Sequence, residues 1–219
     1  MRFALERVSD PEIEPVTLDE MIQHVREFVS ISLAAQTELT RLIVGGRDFA
    51  EDFTGRALID QTWTLTLGDL VGEPMPAQPG YYHGSMNWNQ SVGRGSEILL
   101  RRSPVLEVLS VATVDAAGAE TVVASGTYQV REPKSKWPRL VALSGASWST
   151  GDLKITFRAG FADRVGSPQQ GAEMVPECFK QAIKLWVEAQ YDRDKDMMNK
   201  LLEAAKSVLR QEKAELSIA

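Results

Sequence analysis

The run from residue 53 to residue 67, Phe53-Thr54-Gly55-Arg56-Ala57-Leu58-Ile59-Asp60-Gln61-Thr62-Trp63-Thr64-Leu65-Thr66-Leu67, holds a change of hydrophobic period. Upstream, Leu39, Leu42, Ile43, Gly46, Ala50 and Phe53 recur at three- and four-residue spacing, the stripe of an amphipathic helix over about 36–54. Downstream, Thr62, Trp63, Thr64, Leu65, Thr66 and Leu67 alternate strictly, as a strand with one buried face does. Gly55 stands at the change, where a residue free to adopt positive φ ends a helix.

Toward the N-terminus, Thr17-Leu18-Asp19-Glu20 has the capping-box pattern, in which the Thr side chain and the Glu three residues on satisfy each other's orphan amides. Met21, Ile22, Val25, Phe28 and Val29 follow at helical spacing, which predicts a helix over about 17–30 after an extended arm at 1–16. Residues 17–60 thus read as a pair of N-terminal helices. Gly45-Gly46 costs the second helix about 1 kcal/mol per Gly relative to Ala. Close approach by another helix, or a kink, is the expected compensation.

Toward the C-terminus, further strands are expected at 97–102, 105–114, 120–124, 127–131, 139–143 and 153–158, with turn signals such as Asp115-Ala116-Ala117-Gly118 between them. The β-rich region spans 61–165 and carries a long projecting loop, 68–96. Pro176 fits the first turn of a helix with Phe179, Ala182, Ile183 and Trp186 on its apolar face, and a last helix over about 194–214 completes a C-terminal helical segment, 176–219. The order helices, strands, helices predicts an α+β fold: an N-terminal helical pair, a central antiparallel β-sandwich or barrel-like domain, and C-terminal helices, together one structural unit.

The 219 residues are 43% hydrophobic and 25% charged, enough for a sizeable core. No stretch approaches the about 20 apolar residues of a membrane helix, and Met1-Arg2-Phe3-Ala4-Leu5-Glu6 lacks a signal-peptide core, so a cytoplasmic protein is expected. Cys178 is the single cysteine, which excludes an internal disulfide and a cysteine zinc cluster. The net charge of -6 lies entirely in residues 1–60, where twelve carboxylates face six Arg. Arg101-Arg102 and the group Lys134, Lys136, Arg139 are the only basic clusters, so tight duplex-DNA binding is not expected.

Catalytic material is scarce. His24 and His83 lie far apart, which leaves little for a nucleophilic triad or a histidine metal site. Asp192, Asp194, Asp196 and Glu203 copy the carboxylate spacing of a calcium loop, but Met197 stands where that loop turns on Gly, and a helix-to-helix turn explains the run better. Gly93-Arg94-Gly95-Ser96 lacks the Lys-Ser/Thr ending of a phosphate loop. No enzyme activity, cofactor or metal is expected.

Two contact surfaces stand out instead. The final helix carries Met198, Leu201, Leu202, Ala205, Val208 and Leu209 among balanced charges, an amphipathic stripe that needs a partner. The loop holds Tyr81, Tyr82 and Trp88, rings that either contact a sugar or protein or fold back on the sheet.

Glu14-Pro15-Val16-Thr17-Leu18 before a helix, Phe53 to Ile59 with Gln61-Thr62-Trp63, Ser103-Pro104-Val105 into Val108-Leu109-Ser110-Val111, Ile155 to Phe161, and Val175-Pro176 opening a helix occur in an order that resembles the head-tail connector (adaptor) proteins of long-tailed double-stranded DNA phages and gene-transfer particles. The resemblance covers about 14–193. It implies a structural virion protein of the neck, assembled in the host cytoplasm as a ring of twelve-fold symmetry. Its partners would be the portal and the tail-completion or tail-terminator proteins, with genomic duplex DNA passing through the channel without specific binding. The last-helix stripe would then dock on the portal or a neighbouring subunit, and cutting the chain near 194 should leave a folded protein that fails to join particles. The alternative is a carbohydrate- or protein-binding β-module of a tail or baseplate that uses the loop at 81–88.

Overall fold

The computed structural model describes residues 2–25, 32–68, 97–143, 148, 152–161, 172–191 and 195–213. It has four α-helices and eight strands among these residues, in an α+β arrangement. The chain divides into two compact units, one of strands (1–10, 61–159 and 216–219) and one of helices (11–60 and 160–215).

In the strand unit, β1 (Arg2–Arg7), β2 (Gln61–Gly68), β8 (Asp152–Ala159), β4 (Val105–Val114) and β5 (Glu120–Val122) form one antiparallel sheet in the order β1-β2-β8-β4-β5. A second sheet joins β3 (Glu97–Leu99), β7 (Arg139–Ala142) and β6 (Tyr128–Arg131) in the order β3-β7-β6. The arrangement is that of two open sheets, not a closed barrel. Cross-strand partners share a face. The register Leu65↔Ile155↔Val111 therefore lays one apolar row across β2, β8 and β4, with Trp63↔Phe157 and Leu67↔Leu153 beside it. These seven side chains are 0–5% exposed.

The strand boundaries expected from sequence hold to within a few residues, with one addition. The segment read as an extended arm begins with β1, which pairs with β2 from Arg2↔Gly68 to Arg7↔Trp63. Its six residues include three charged ones, so its alternation is too weak to separate from an arm by sequence.

In the helical unit, α1 (Leu18–His24) opens on the expected capping box: Thr17 Oγ1 accepts from the Glu20 amide at 3.2 Å, and the Glu20 carboxylate accepts from the Thr17 amide at 2.8 Å. The rest of the first expected helix falls at 26–31, outside the described residues. α2 (Leu33–Thr54) starts at the Ser32 cap and ends at Gly55, whose φ of 72° is the left-handed C-cap. α3 (Glu177–Tyr191) and α4 (Lys195–Leu209) follow, with a 3-10 turn at Arg210–Glu212.

Close approach, not a kink, accounts for the paired glycines. A Cβ at Gly46 would stand 3.0 Å from Ile183 Cγ2 and 3.4 Å from the Ile183 carbonyl oxygen, and one at Gly45 would stand 3.0 Å from the Trp186 ring. The missing side chains let α3 lie against α2, and the burial gained offsets the low helix propensity of Gly. The core formed there contains Met21, Leu39, Ile43, Ala50, Phe179, Ala182, Ile183 and Val187, each at 3% exposure or less.

Candidate assembly surfaces

The 53–61 junction is built around a buried cation. Arg47, with its side chain 3% exposed, pairs with Glu14 at 2.8 Å, Asp48 at 2.9 Å and Glu51 at 3.4 Å. Burial pulls its pKa down while Glu14 and Glu51 pull it up, and the net direction is upward, so the group stays charged. Glu51 does more than neutralise: its Oε1 accepts from the Leu58 amide at 2.8 Å. That bond fixes the turn after Gly55 and points Leu58 and Ile59 into the helical core.

Glycine is needed once more at this junction. Gly160 has φ of 147°, and a Cβ there would lie 2.4 Å from the Ile59 carbonyl carbon and oxygen. The close passage allows the Phe161 amide to donate to the Leu58 carbonyl at 3.0 Å.

Arg56 binds the last described turn of the chain. Its guanidinium is ion-paired with Glu212 and lies 4.9 Å from the Phe161 ring centroid and 5.9 Å from that of Phe179. Lys213 sits 5.1 Å over Phe53. The start and the middle of the Phe53–Ile59 motif thus receive the segment after α4.

This placement divides the docking stripe expected on α4. Ala205 and Leu209 are wholly buried in the helical core, and Val208 packs against it. They do not lie open to a partner. The partner for that edge is α3 of the same chain, because the 3.6-residue period turns both side chains inward. Met198, Leu201 and Leu202 are half-buried, and Met197 is 45% exposed. The burial of Ala205 and Leu209 also corrects the truncation expectation: a chain cut near 194 loses part of its core. Tyr81, Tyr82 and Trp88 lie outside the described residues.

In the strand unit, the two basic clusters seen separately in the sequence come together. The Leu100 amide donates to the Pro138 carbonyl at 2.9 Å and the Val105 amide to the Pro133 carbonyl at 2.8 Å. These bonds lay 100–105 along the 132–138 turn. Arg131 and Arg139 are direct cross-strand partners, and one carboxylate serves both: Glu97 is 3.1 Å from Arg131 and 2.6 Å from Arg139. Arg102 stacks 4.5 Å over Trp63 at the same end. The sequence signal was present in both clusters, but nothing in their spacing of thirty-odd residues says that they meet.

Catalytic chemistry finds little here. Among the described residues no group of three or more His, Cys, Asp or Glu is placed to hold a metal ion. His24 Nε2 is 2.9 Å from a Glu188 oxygen, a tie between α1 and α3. The Thr17 backbone bond holds Glu20 below the usual carboxylate range, and burial pushes the Cys178 thiol up, away from a reactive thiolate. Of the four carboxylates of the calcium-like spacing, Glu203 is engaged by Lys206 at 2.8 Å and Asp196 lies in the first turn of α4. The other two lie outside the described residues.

No family model and no curated protein matches this sequence. Solved structures do. A chain in the neck of an empty GTA particle, computed with C6 symmetry, superposes with a TM-score of 0.65 at 21% identity, covering 92% of this chain and 94% of that one. A chain in the virion of a native gene transfer agent particle gives 0.60 at 22%, covering 91% and 93%. One in the neck of the native particle, computed with C12 symmetry, gives 0.54 at 22%, covering 92% and 94%. The two units, strands and helices in their order along the chain, therefore make up a fold shared over nearly the full length with chains of gene transfer agent particles.

Proposed function

We propose that the protein is a structural component of the neck of a phage or gene-transfer particle, forming a ring between portal and tail that extends the DNA channel. The observation that carries this reading is a fold shared across more than nine-tenths of both chains with neck chains, not an isolated motif. The six- and twelve-fold symmetry of those necks supports a homo-oligomeric ring; the count of twelve copies is what the sequence resemblance implies and is part of this proposal.

Within this reading, Met197, Met198, Leu201 and Leu202, the accessible edge of α4, dock the portal or a neighbouring subunit. The remainder of the stripe holds α4 to α3. Electron microscopy of lysates from a producing strain lacking the gene tests the neck role. Separate filled heads and finished free tails are expected; normally joined particles would reject it. Glu substitutions at Met197 and Leu201 should reproduce the unjoined phenotype with soluble, folded protein.

A further inference from the structure

We infer that the basic end of the strand unit, formed by 97–104 and 131–139, is a contact surface for the phosphate backbone of duplex DNA. The inference rests on the neck reading for its biological setting but on this surface for its chemistry. Six cationic side chains stand there, Arg101, Arg102, Arg131, Lys134, Lys136 and Arg139, against two carboxylates, Glu97 and Glu132. That balance, counted along the two segments, is the reverse of the chain's own net charge of -6.

The geometry is that of a prepared surface. Arg131 and Arg139 project from paired positions of adjacent strands and are both held by Glu97, whose single charge orients two guanidiniums without neutralising them. Arg131 is 55% and Arg139 38% exposed at the side chain, and Lys134 is exposed on the turn beside them. Arg102, stacked on Trp63, borders the same end.

Duplex phosphate fits better than an acidic protein surface. Protein interfaces carry an apolar core with a polar rim, whereas DNA-backbone contacts are polar and strongly positive. The large apolar side chains exposed among the described residues are Val8, Leu33, Val44, Leu109, Val122, Met174 and Met197, and none falls in either segment. The acidic remainder of the chain keeps the contact weak, so a duplex would be held in register with the ring yet remain free to move.

The test uses the purified full-length protein and a labelled random-sequence duplex, read by fluorescence anisotropy over a salt series. Binding should be independent of sequence and steeply weakened by salt. The variant Arg131→Gln/Lys134→Gln should lower the slope of log K against log salt by about 1.8, that is about 0.9 per phosphate contact removed. Glu12→Gln/Asp52→Gln, in the helical unit, should leave the slope unchanged. An unaltered far-ultraviolet spectrum and melting temperature would confirm that the variants fold. Absence of DNA binding at low ionic strength, or an unchanged slope in Arg131→Gln/Lys134→Gln, overturns the inference. So does a loss of self-association with DNA binding intact, which would assign the patch to an acidic protein surface. None of these results bears on head-tail joining in the deletion strain, so the two readings fail separately.

Discussion

Three glycines allow a graded test of how the fold is held. At Gly160 a substituted Ala meets two costs. The φ of 147° is outside the range of L side chains, and the new Cβ would stand 2.4 Å from Ile59 backbone atoms and 2.5 Å from the Asp60 nitrogen, none of which can rotate away. Backbone strain of about 1–3 kcal/mol and overpacking of about 1–3 kcal/mol bring Gly160→Ala to about 2–6 kcal/mol. At Gly118 the φ of 83° carries the first cost without the second, because nothing lies within 4 Å, and about 1 kcal/mol is expected. At Gly126 neither applies, and Ala should be neutral or stabilise by up to about 1 kcal/mol through the unfolded chain. For a chain of this length each kcal/mol moves the melting temperature by about 2–4 °C. Thermal unfolding followed by circular dichroism should therefore rank the variants Gly160→Ala well below Gly118→Ala, and that below Gly126→Ala. If Gly160→Ala loses no more than Gly118→Ala, the close passage of residue 160 over residues 59 and 60 is wrong.

Replacing Arg47 by Met takes the cation away from the buried Glu51 carboxylate and should cost about 3–5 kcal/mol in urea unfolding, whereas a loss under 1 kcal/mol would deny the buried network a holding role. Thr17→Ala should cost about 1 kcal/mol by removing the α1 cap. Because the folded state lowers the Glu20 pKa, its contribution is present above the unfolded carboxylate value and is lost as pH falls through the lowered folded one. Stability measured from neutral to acid pH should accordingly fall less in Glu20→Gln, which has no carboxylate to titrate, than in the parent. Leu209→Ala should cost about 2–5 kcal/mol, while Met197→Gln should stay within about 0.5 kcal/mol; equal losses would show that α4 is not seated as described.

Much of the fold was legible because its signals are local. The capping box at Thr17 and Glu20, the Gly55 stop and the alternation from Thr62 to Leu67 each depend on residues within a turn or a few pleats of one another, and each appears where the sequence placed it. The last helix was legible as amphipathic, but amphipathicity reports only that a face needs cover. It does not say whether the cover comes from α3 of the same chain or from another protein. Ala205 and Leu209 took the first answer. β1 escaped notice because a six-residue strand at a sheet edge owes its existence to β2, fifty-odd residues away.

The sequence by itself determined the class, α+β, the order of helices and strands, and the poverty of catalytic groups, since periodicity, caps and composition are properties of neighbours along the chain. Tertiary structure alone decided that Gly45 and Gly46 admit Ile183 and Trp186, that Arg47 gathers Glu14 and Glu51, and that the segment of Arg101-Arg102 runs beside that of Lys134, Lys136 and Arg139. Each of those depends on which distant segments pack together. That choice is made by burial of apolar faces, a non-directional force that leaves no local mark at the polar positions it brings into contact.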